Sequence, residues 1–456
     1  MNQPFNRRQF LTRCGSLALG SASLSAGLTQ FNLVHAQTAA ANDYKALVCI
    51  FLFGGNDSFN MLIPRSNGDY ETYASTRLDL AVPKEQLLPL NPLTHSNGVD
   101  YGFNPVMTAA KTLFDNQKLA VMGNVGALVE PVSQISYQAK SIALPPQLFS
   151  HNDQQTFMQS LQSSSQRNGW AGRAADVLAD VNQNQKLSMN ISLSGDNIWQ
   201  GGNSVVPYSI NAAGIETLDY LEANNGDTRE LRRYQIYQTL LAQQPAHLFQ
   251  REFARTQIRA WELAGEVNAA LQAQNPLTTQ FNTQSHLANN LKMVANLIAA
   301  RSQLSVSRQI FFIGMGDFDT HGNQLGRHPG LLQELSDGMK AFYDATEELG
   351  VANNVTTFTA SDFGRTLTSN GDGTDHGWGA HQLVMGGAVK GGDIYGKMPE
   401  LVIGSNDDIG EGRIIPTTSM DQYAATLATW YGLPNSAFAD VFPNLTNFEQ
   451  QNMGFI

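Results

Sequence analysis

Three runs of apolar residues with little polar interruption stand out along the chain, Lys45 to Gly55, Lys118 to Gly123 and Gln309 to Gly316, and a fourth segment, Val355 to Ala360, is strand-like with three threonines among Val, Phe and Ala. Near-continuous runs of four to eight apolar residues suit strands buried on both faces, as in parallel sheets covered by helices. Between them the period lengthens to that of a helix, over Pro105 to Asn116, Ser150 to Leu161, Gly330 to Leu349 and Asp421 to Tyr431. Strand and helix in alternation predict an α/β fold with a largely parallel central sheet and helices on both faces.

Two departures from that alternation matter. Pro64 to Val106 is rich in Pro, Asn and other turn formers and reads as connection. Asp227 to Ala273 and His286 to Gln303 are polar and helically periodic, and they read as a helical hairpin inserted at about 220–305, with Asn275-Pro276 as its turn. No repeat of solenoid length and no low-complexity tract follows the N-terminal segment.

That segment reads as an export signal. Asn6-Arg7-Arg8-Gln9-Phe10-Leu11 has the twin-arginine pattern, a mildly apolar Ala/Gly/Ser/Leu stretch follows, and Val34-His35-Ala36 suits cleavage. The expected organisation is a signal over 1–36, a tether over 37–43 and one domain over 44–456, placed in the periplasm or outside the cell after passage through the twin-arginine translocon. The stretch from Gly15 to Leu33 carries too many polar residues for a stable membrane span.

Composition narrows the function. The chain has 456 residues, 42% of them hydrophobic, enough for a large core. Loss of Arg7, Arg8 and Arg13 with no acid takes the formal charge from −11 to −14. With no basic run and no zinc-finger spacing, nucleic acid is not an expected partner. Cys49, the single cysteine after the signal, lies inside ALVCIFLF, the setting of an inert buried thiol.

The chemistry gathers at the ends of the apolar runs. Asp57 and Ser58 follow the first, in Gly54-Gly55-Asn56-Asp57-Ser58; Asp319 and His321 follow the third, in Asp317-Phe318-Asp319-Thr320-His321-Gly322; Asp362 and Arg365 follow the fourth, in Ser361-Asp362-Phe363-Gly364-Arg365-Thr366. Asp375-His376-Gly377-Trp378-Gly379-Ala380-His381 comes next, two histidines in a Gly-rich stretch read as a coordination loop. Ligands of an open α/β sheet collect outside the carboxyl ends of its strands, so these groups are expected to meet in one crevice. Carboxylates and imidazoles together suit a divalent transition metal. Asn370 to Asp375 lacks the glutamate of a calcium-binding EF-hand. Arg365 is placed either to pair with Asp362 or to clamp a bound anion.

GGNDSFN, DFDTHGN, SDFGRT and DHGWGAH, in this order, resemble a twin-arginine-exported family, domain of unknown function 1501, grouped with the alkaline phosphatase and sulfatase superfamily. The resemblance spans nearly the whole chain after the signal and implies an alkaline-phosphatase-like fold holding one or two divalent ions, zinc or manganese. It implies Asp57, Asp362 and Asp375 or His376 around one ion, and Asp319, His321 and His376 or His381 around the other. This chain departs from the superfamily pattern in its Asp-x-His at 319–321 and in SDFGRT at the strand end.

The superfamily nucleophile is a Ser, Thr or modified Cys at a helix start. Cys49 is mid-strand and cannot serve; Ser150, at the start of an expected helix, and Ser58, beside Asp57, are the candidates, although Ser150 also suits a plain helix cap. The expected function is an exported metal-dependent hydrolase of small anionic phosphate or sulfate esters, and the alternative is a cell-envelope binding or assembly protein that keeps the fold without turnover. If the export reading is right, replacing Arg7 and Arg8 with lysine abolishes periplasmic accumulation in a cell-fractionation experiment.

Overall fold

The computed structural model describes residues 43–94, 98–162, 168–215, 228–243 and 248–456. The signal, nearly all of the tether and Asp227 lie outside these residues. From Lys45 onward the chain forms a single compact unit.

Its centre is a nine-stranded sheet. In chain order the strands are β1 (Lys45–Leu52), β2 (Leu119–Gly126), β3 (Asn190–Ser192), β4 (Tyr208–Ser209), β5 (Arg308–Met315), β6 (Val355–Ser361), β7 (Ala380–Gly386), β8 (Ile394–Tyr395) and β9 (Thr418–Ser419). Across the sheet the order is β8-β2-β7-β6-β1-β5-β3-β4, with β9 on β2. β1 is parallel to both β5 and β6, whereas β7 runs antiparallel to β2 and β6. This is the expected α/β fold with a largely parallel sheet. The three apolar runs are β1, β2 and β5 and the fourth segment is β6, and each is buried over nearly its whole length, as covering on both faces requires.

The principal helices are α1 (Asn67–Arg77), α2 (Thr108–Asp115), α3 (His151–Ser160), α4 (Trp170–Val177), α5 (Thr228–Ala242), α6 (Leu248–Gln272), α7 (His286–Ala299), α8 (Gln324–Glu348) and α9 (Met420–Tyr431). The core between sheet and helices is aromatic: Trp170 and Trp199 meet edge to face at 5.2 Å and lean on Phe358 and Phe312. Cys49 is buried, and burial holds its thiol in the protonated form.

Three expectations are revised. Among the described residues the helical insertion has three helices rather than two, α5 ending at Ala242 and α6 beginning at Leu248. α8 begins at Gln324 and carries Pro329 inside it, so the proline costs a backbone hydrogen bond without ending the helix. Ala380 to Gly386 is a strand, not part of a coordination loop.

Two histidines are buried as neutral bases. His328 on α8 bonds Asn56 Oδ1 through Nε2 at 2.9 Å, and burial pushes its pKa down to about 4. Burial takes His381 down to about 3. An unfolded histidine titrates near 6.5, so as pH falls below that value the unfolded chain takes up protons that the folded one refuses. Stability is therefore full above pH 6.5 and declines as pH falls toward 4. Denaturant titrations between pH 4 and 7 are expected to show this slope, and His328→Gln, which keeps a donor for Asn56, should flatten it by up to about 1.4 kcal/mol per pH unit, the contribution of one proton.

Candidate functional site

The carboxyl ends of β1, β5 and β6 lie side by side, and each releases the chain into a short polar segment. After β1, Gly54 takes a backbone φ of 111°, and a Cβ there would stand 2.4 Å from the Asp319 nitrogen. Only glycine lets these two strand ends approach so closely. Gly54 N–H donates to Asp362 Oδ2 at 3.1 Å, and its carbonyl accepts from Arg365 at 3.1 Å.

Arg365 opens a two-stranded hairpin, Arg365–Ser369 paired with Thr374–His376. The guanidinium is fully buried. It donates to Asp319 Oδ1 at 2.7 Å, to the Gly54 carbonyl, to the Thr374 carbonyl and to Thr374 Oγ1. The expectation that it pairs with Asp362 or clamps a bound anion is corrected: its donors are spent inside the protein, and its carboxylate partner is Asp319.

Asp319 is half exposed and faces three imidazoles. Its carboxylate oxygens lie 3.1 Å from His321 Nε2, 3.4 Å from His376 Nε2 and 3.6 Å from His151 Nε2. His321 Nε2 and His376 Nε2 are themselves 2.9 Å apart. In each ring the other nitrogen is held by an oxygen: His151 Nδ1 by Asp362 Oδ2 at 2.7 Å, His376 Nδ1 by the Phe149 carbonyl at 2.7 Å, His321 Nδ1 by Asp375 Oδ1 at 2.9 Å. A carbonyl and carboxylates only accept, so each Nδ1 donates to the oxygen behind it and each Nε2 is the nitrogen turned toward Asp319.

His151, Asp319 and His376 each offer a ligand atom within 4.8 Å of the others. The Asp319 oxygens stand 3.4 Å from His376 Nε2 and 3.6 Å from His151 Nε2, close to the separation of about 3.3 Å between donors that share an ion at bonds of about 2.0–2.1 Å. Asp362 supplies a further sign. It is buried, its Oδ2 takes three hydrogen bonds, from Gly54, His151 and Gln155, and its Oδ1 has no hydrogen-bond partner. The donor set fits a divalent transition metal, with His151, Asp319 and His376 nearest one another and His321 beside them.

The electrostatics follow from these contacts. The hydrogen bond that His151 donates to Asp362 raises the histidine's pKa against the opposing effect of burial. Partial burial pushes Asp319 up, but Arg365 and the facing histidines more than offset it and hold it below the ordinary value. Burial lowers His376, with the Phe149 carbonyl working against it. Burial raises Asp375, which Asn370 and His321 outweigh, so it too is lowered.

Of the residues singled out from sequence, Asp319, His321, Asp362, Asp375 and His376 meet here, with Asp362 and Asp375 behind the histidines rather than beside them. Asp57 does not join them. It is fully buried, ion-paired to Arg77 and bonded by Gln324, and Arg77 also holds Asn60 and the Thr366 carbonyl. His381 is elsewhere too: its Nδ1 accepts from Asn124 N–H at 3.1 Å, Phe59 packs edge-on, and it borders a separate cleft of about 550 Å³ with Tyr101 and Lys397. Ser58 is buried, its Oγ accepting from His381 N–H at 2.8 Å. Ser150 sits at the N-cap position of α3 without capping the backbone; its Oγ bonds Asp153 Oδ2 at 2.7 Å.

Sequence reasoning missed His151. It is the first residue of α3, next to the serine that drew attention, and no apolar run precedes it. The available signal was a histidine at a helix start, where a ring nitrogen can leave the helix surface toward a strand end.

A family model described as "Protein of unknown function (DUF1501)" matches residues 44–411. No curated protein matches the chain. Among solved structures, Ps i-CgsB in complex with k-i-k-neocarrahexaose is 9% identical, with 89% of this chain and 77% of that one covered and a TM-score of 0.33. A structure from work on glycosaminoglycan metabolism by Bacteroides thetaiotaomicron is 9% identical, with 87% and 74% covered and a TM-score of 0.34.

Arg365 is the residue whose loss the site tolerates least. Lysine in its place keeps the charge but cannot reach the Gly54 and Thr374 carbonyls and Asp319 together, so at least one buried carbonyl is left unpaired. Arg365→Lys is expected to lower stability by about 2–4 kcal/mol in denaturant unfolding.

Proposed function

The chain belongs to the DUF1501 family, whose description leaves its activity open, and for this member we propose a metal-dependent hydrolase of phosphate or sulfate esters. The observation that carries the reading is the convergence of three Nε2 atoms on Asp319, each ring locked from behind by an acceptor on Nδ1. His151, His376 and Asp319, with His321, would hold one zinc or manganese ion. Such an ion, when bound, polarises a phosphoryl or sulfuryl oxygen and lowers the pKa of water.

The chain's own residues supply the rest. α3 starts at the site, and the absence of a side-chain cap leaves its first backbone N–H groups to meet anionic ester oxygens. Ser150 is the favoured nucleophile, because Phe149 and His151 on either side of it both engage the cluster. Its Oγ would attack the phosphorus or sulfur in line, its proton passing to Asp153 and from there to the ester oxygen, which leaves as the free alcohol. The phospho- or sulfo-serine so formed would be hydrolysed by water, restoring Ser150. Ser58 is not favoured, since it is buried against His381. The inward-facing Arg365 favours the alternative, a binding protein without turnover, because no guanidinium among the residues of the cluster is left to grip the anion.

Elemental analysis of purified protein is expected to find at least one equivalent of a divalent transition metal, and His376→Ala and His151→Ala should each lower occupancy and melting temperature together. Metal-loaded protein should turn over activated aryl phosphates or sulfates, with Ser150→Ala reducing kcat by a factor on the order of 10³ or more and Ser58→Ala leaving it intact. Metal bound without turnover across such a panel would select the binding protein.

A further inference from the structure

α5 and α6 differ in chemistry from the rest of the molecule. The two helices pack on each other: the Tyr234 and Trp261 rings meet at 6.1 Å, and the Tyr237 hydroxyl donates to Gln257 at 3.1 Å. Along α6, Phe249, Phe253, Ala260, Ala264 and Val267 recur at helical spacing and share one side. The far end of this stripe is buried, at Ala264 and Val267, together with the neighbouring Leu263 and Ala270. Its near end is not. Phe249 is 78% and Phe253 62% exposed, and the helical period sets Ile236 and Leu240 of α5, 54% and 55% exposed, on the same side of the pair.

The charge of the pair is equally distinct. Between Thr228 and Glu262 the sequence has six arginines against three glutamates, in a chain whose formal net charge is −11. Arg232 on α5 and Arg259 on α6 are exposed and flank the apolar side, whereas Arg255 is exposed about 140° round α6 from Phe249 and Phe253, on the far face. Arg255 meets Glu252 at 2.9 Å, a surface pair that leaves most of the guanidinium in solvent.

We propose that this helix pair lies on an anionic lipid surface. Phe249, Phe253, Ile236 and Leu240 enter the boundary between headgroups and acyl chains, and the arginines reach back along its flanks to the headgroup phosphates. Charge separates this partner from a second copy of the chain, which would set one row of arginines against the other. The attachment is peripheral, for no helix among the described residues is long and apolar enough to cross a membrane. It needs no assumption about the reaction at the metal-ligating cluster.

The test is co-sedimentation of the purified protein with vesicles of phosphatidylglycerol and phosphatidylcholine, or of phosphatidylcholine alone. Binding to the anionic vesicles only is expected, falling roughly 30-fold in Arg232→Gln/Arg259→Gln, at about fivefold per arginine, and lost in Phe249→Ser/Phe253→Ser. Because all four side chains are exposed, melting temperatures should stay at the wild-type value, which separates lost attachment from lost folding. Absence of binding, or equal binding to both vesicles, overturns the proposal. So does a concentration-dependent dimer in sedimentation equilibrium that Phe249→Ser/Phe253→Ser dissolves, since the face would then belong to a second copy.

Discussion

A guanidinium with no access to water has to find both a counter-charge and an acceptor for its donors, and Arg365 finds them at three places that the sequence separates widely. Its partners are the Gly54 carbonyl after β1, the Asp319 carboxylate after β5 and Thr374 across its own hairpin. Each strand end is thereby held in register with the others by a group that cannot be left unpaired without cost. Asp319 in turn stands between this buried cation and three imidazoles, so the position of the carboxylate that faces the site is set from inside the protein. Next to it a second buried pair, Asp57 with Arg77, ties the turn after β1 to α1 and to the carbonyl of Thr366.

The cluster has two layers with different duties. Asp362, Asp375 and the Phe149 carbonyl each fix a ring orientation, and the three Nε2 atoms are thereby turned toward Asp319. A carboxylate behind an imidazole also raises its basicity, which strengthens it as a ligand. Helix, hairpin and two strand ends each contribute one part, and the unpaired Asp362 Oδ1 is the single loose end in this inner layer.

How much of this was legible in the sequence depended on whether the signal was local. β1, β2 and β5 announced themselves because a strand covered on both faces must be largely apolar, and β6 through the valine, phenylalanine and threonines that favour strands. β3 and β4, three and two residues long, carry too few positions for any period. β7 escaped because Gly377, Gly379 and His381 suggested a loop, whereas antiparallel pairing with β2 and β6 buries His381 as a neutral core base. The strand-end rule led to Asp319, His321, Asp362 and His376. It misplaced Asp57, Ser58 and Arg365, whose partners Arg77, His381 and Asp319 are remote in sequence and could not be inferred from their neighbours. His151 was hidden for the opposite reason, since it arrives from a helix start on the facing layer.

The contacts that shape the cluster span 211 residues from His151 to Asp362, 227 from Phe149 to His376 and 308 from Gly54 to Asp362. Closing loops of that length precedes any reward from the contacts themselves, so these bonds belong to the late stage of folding, after the central strands have paired. A nascent or partly collapsed chain thus holds its histidines and carboxylates dispersed, and the cluster comes together only with the finished fold.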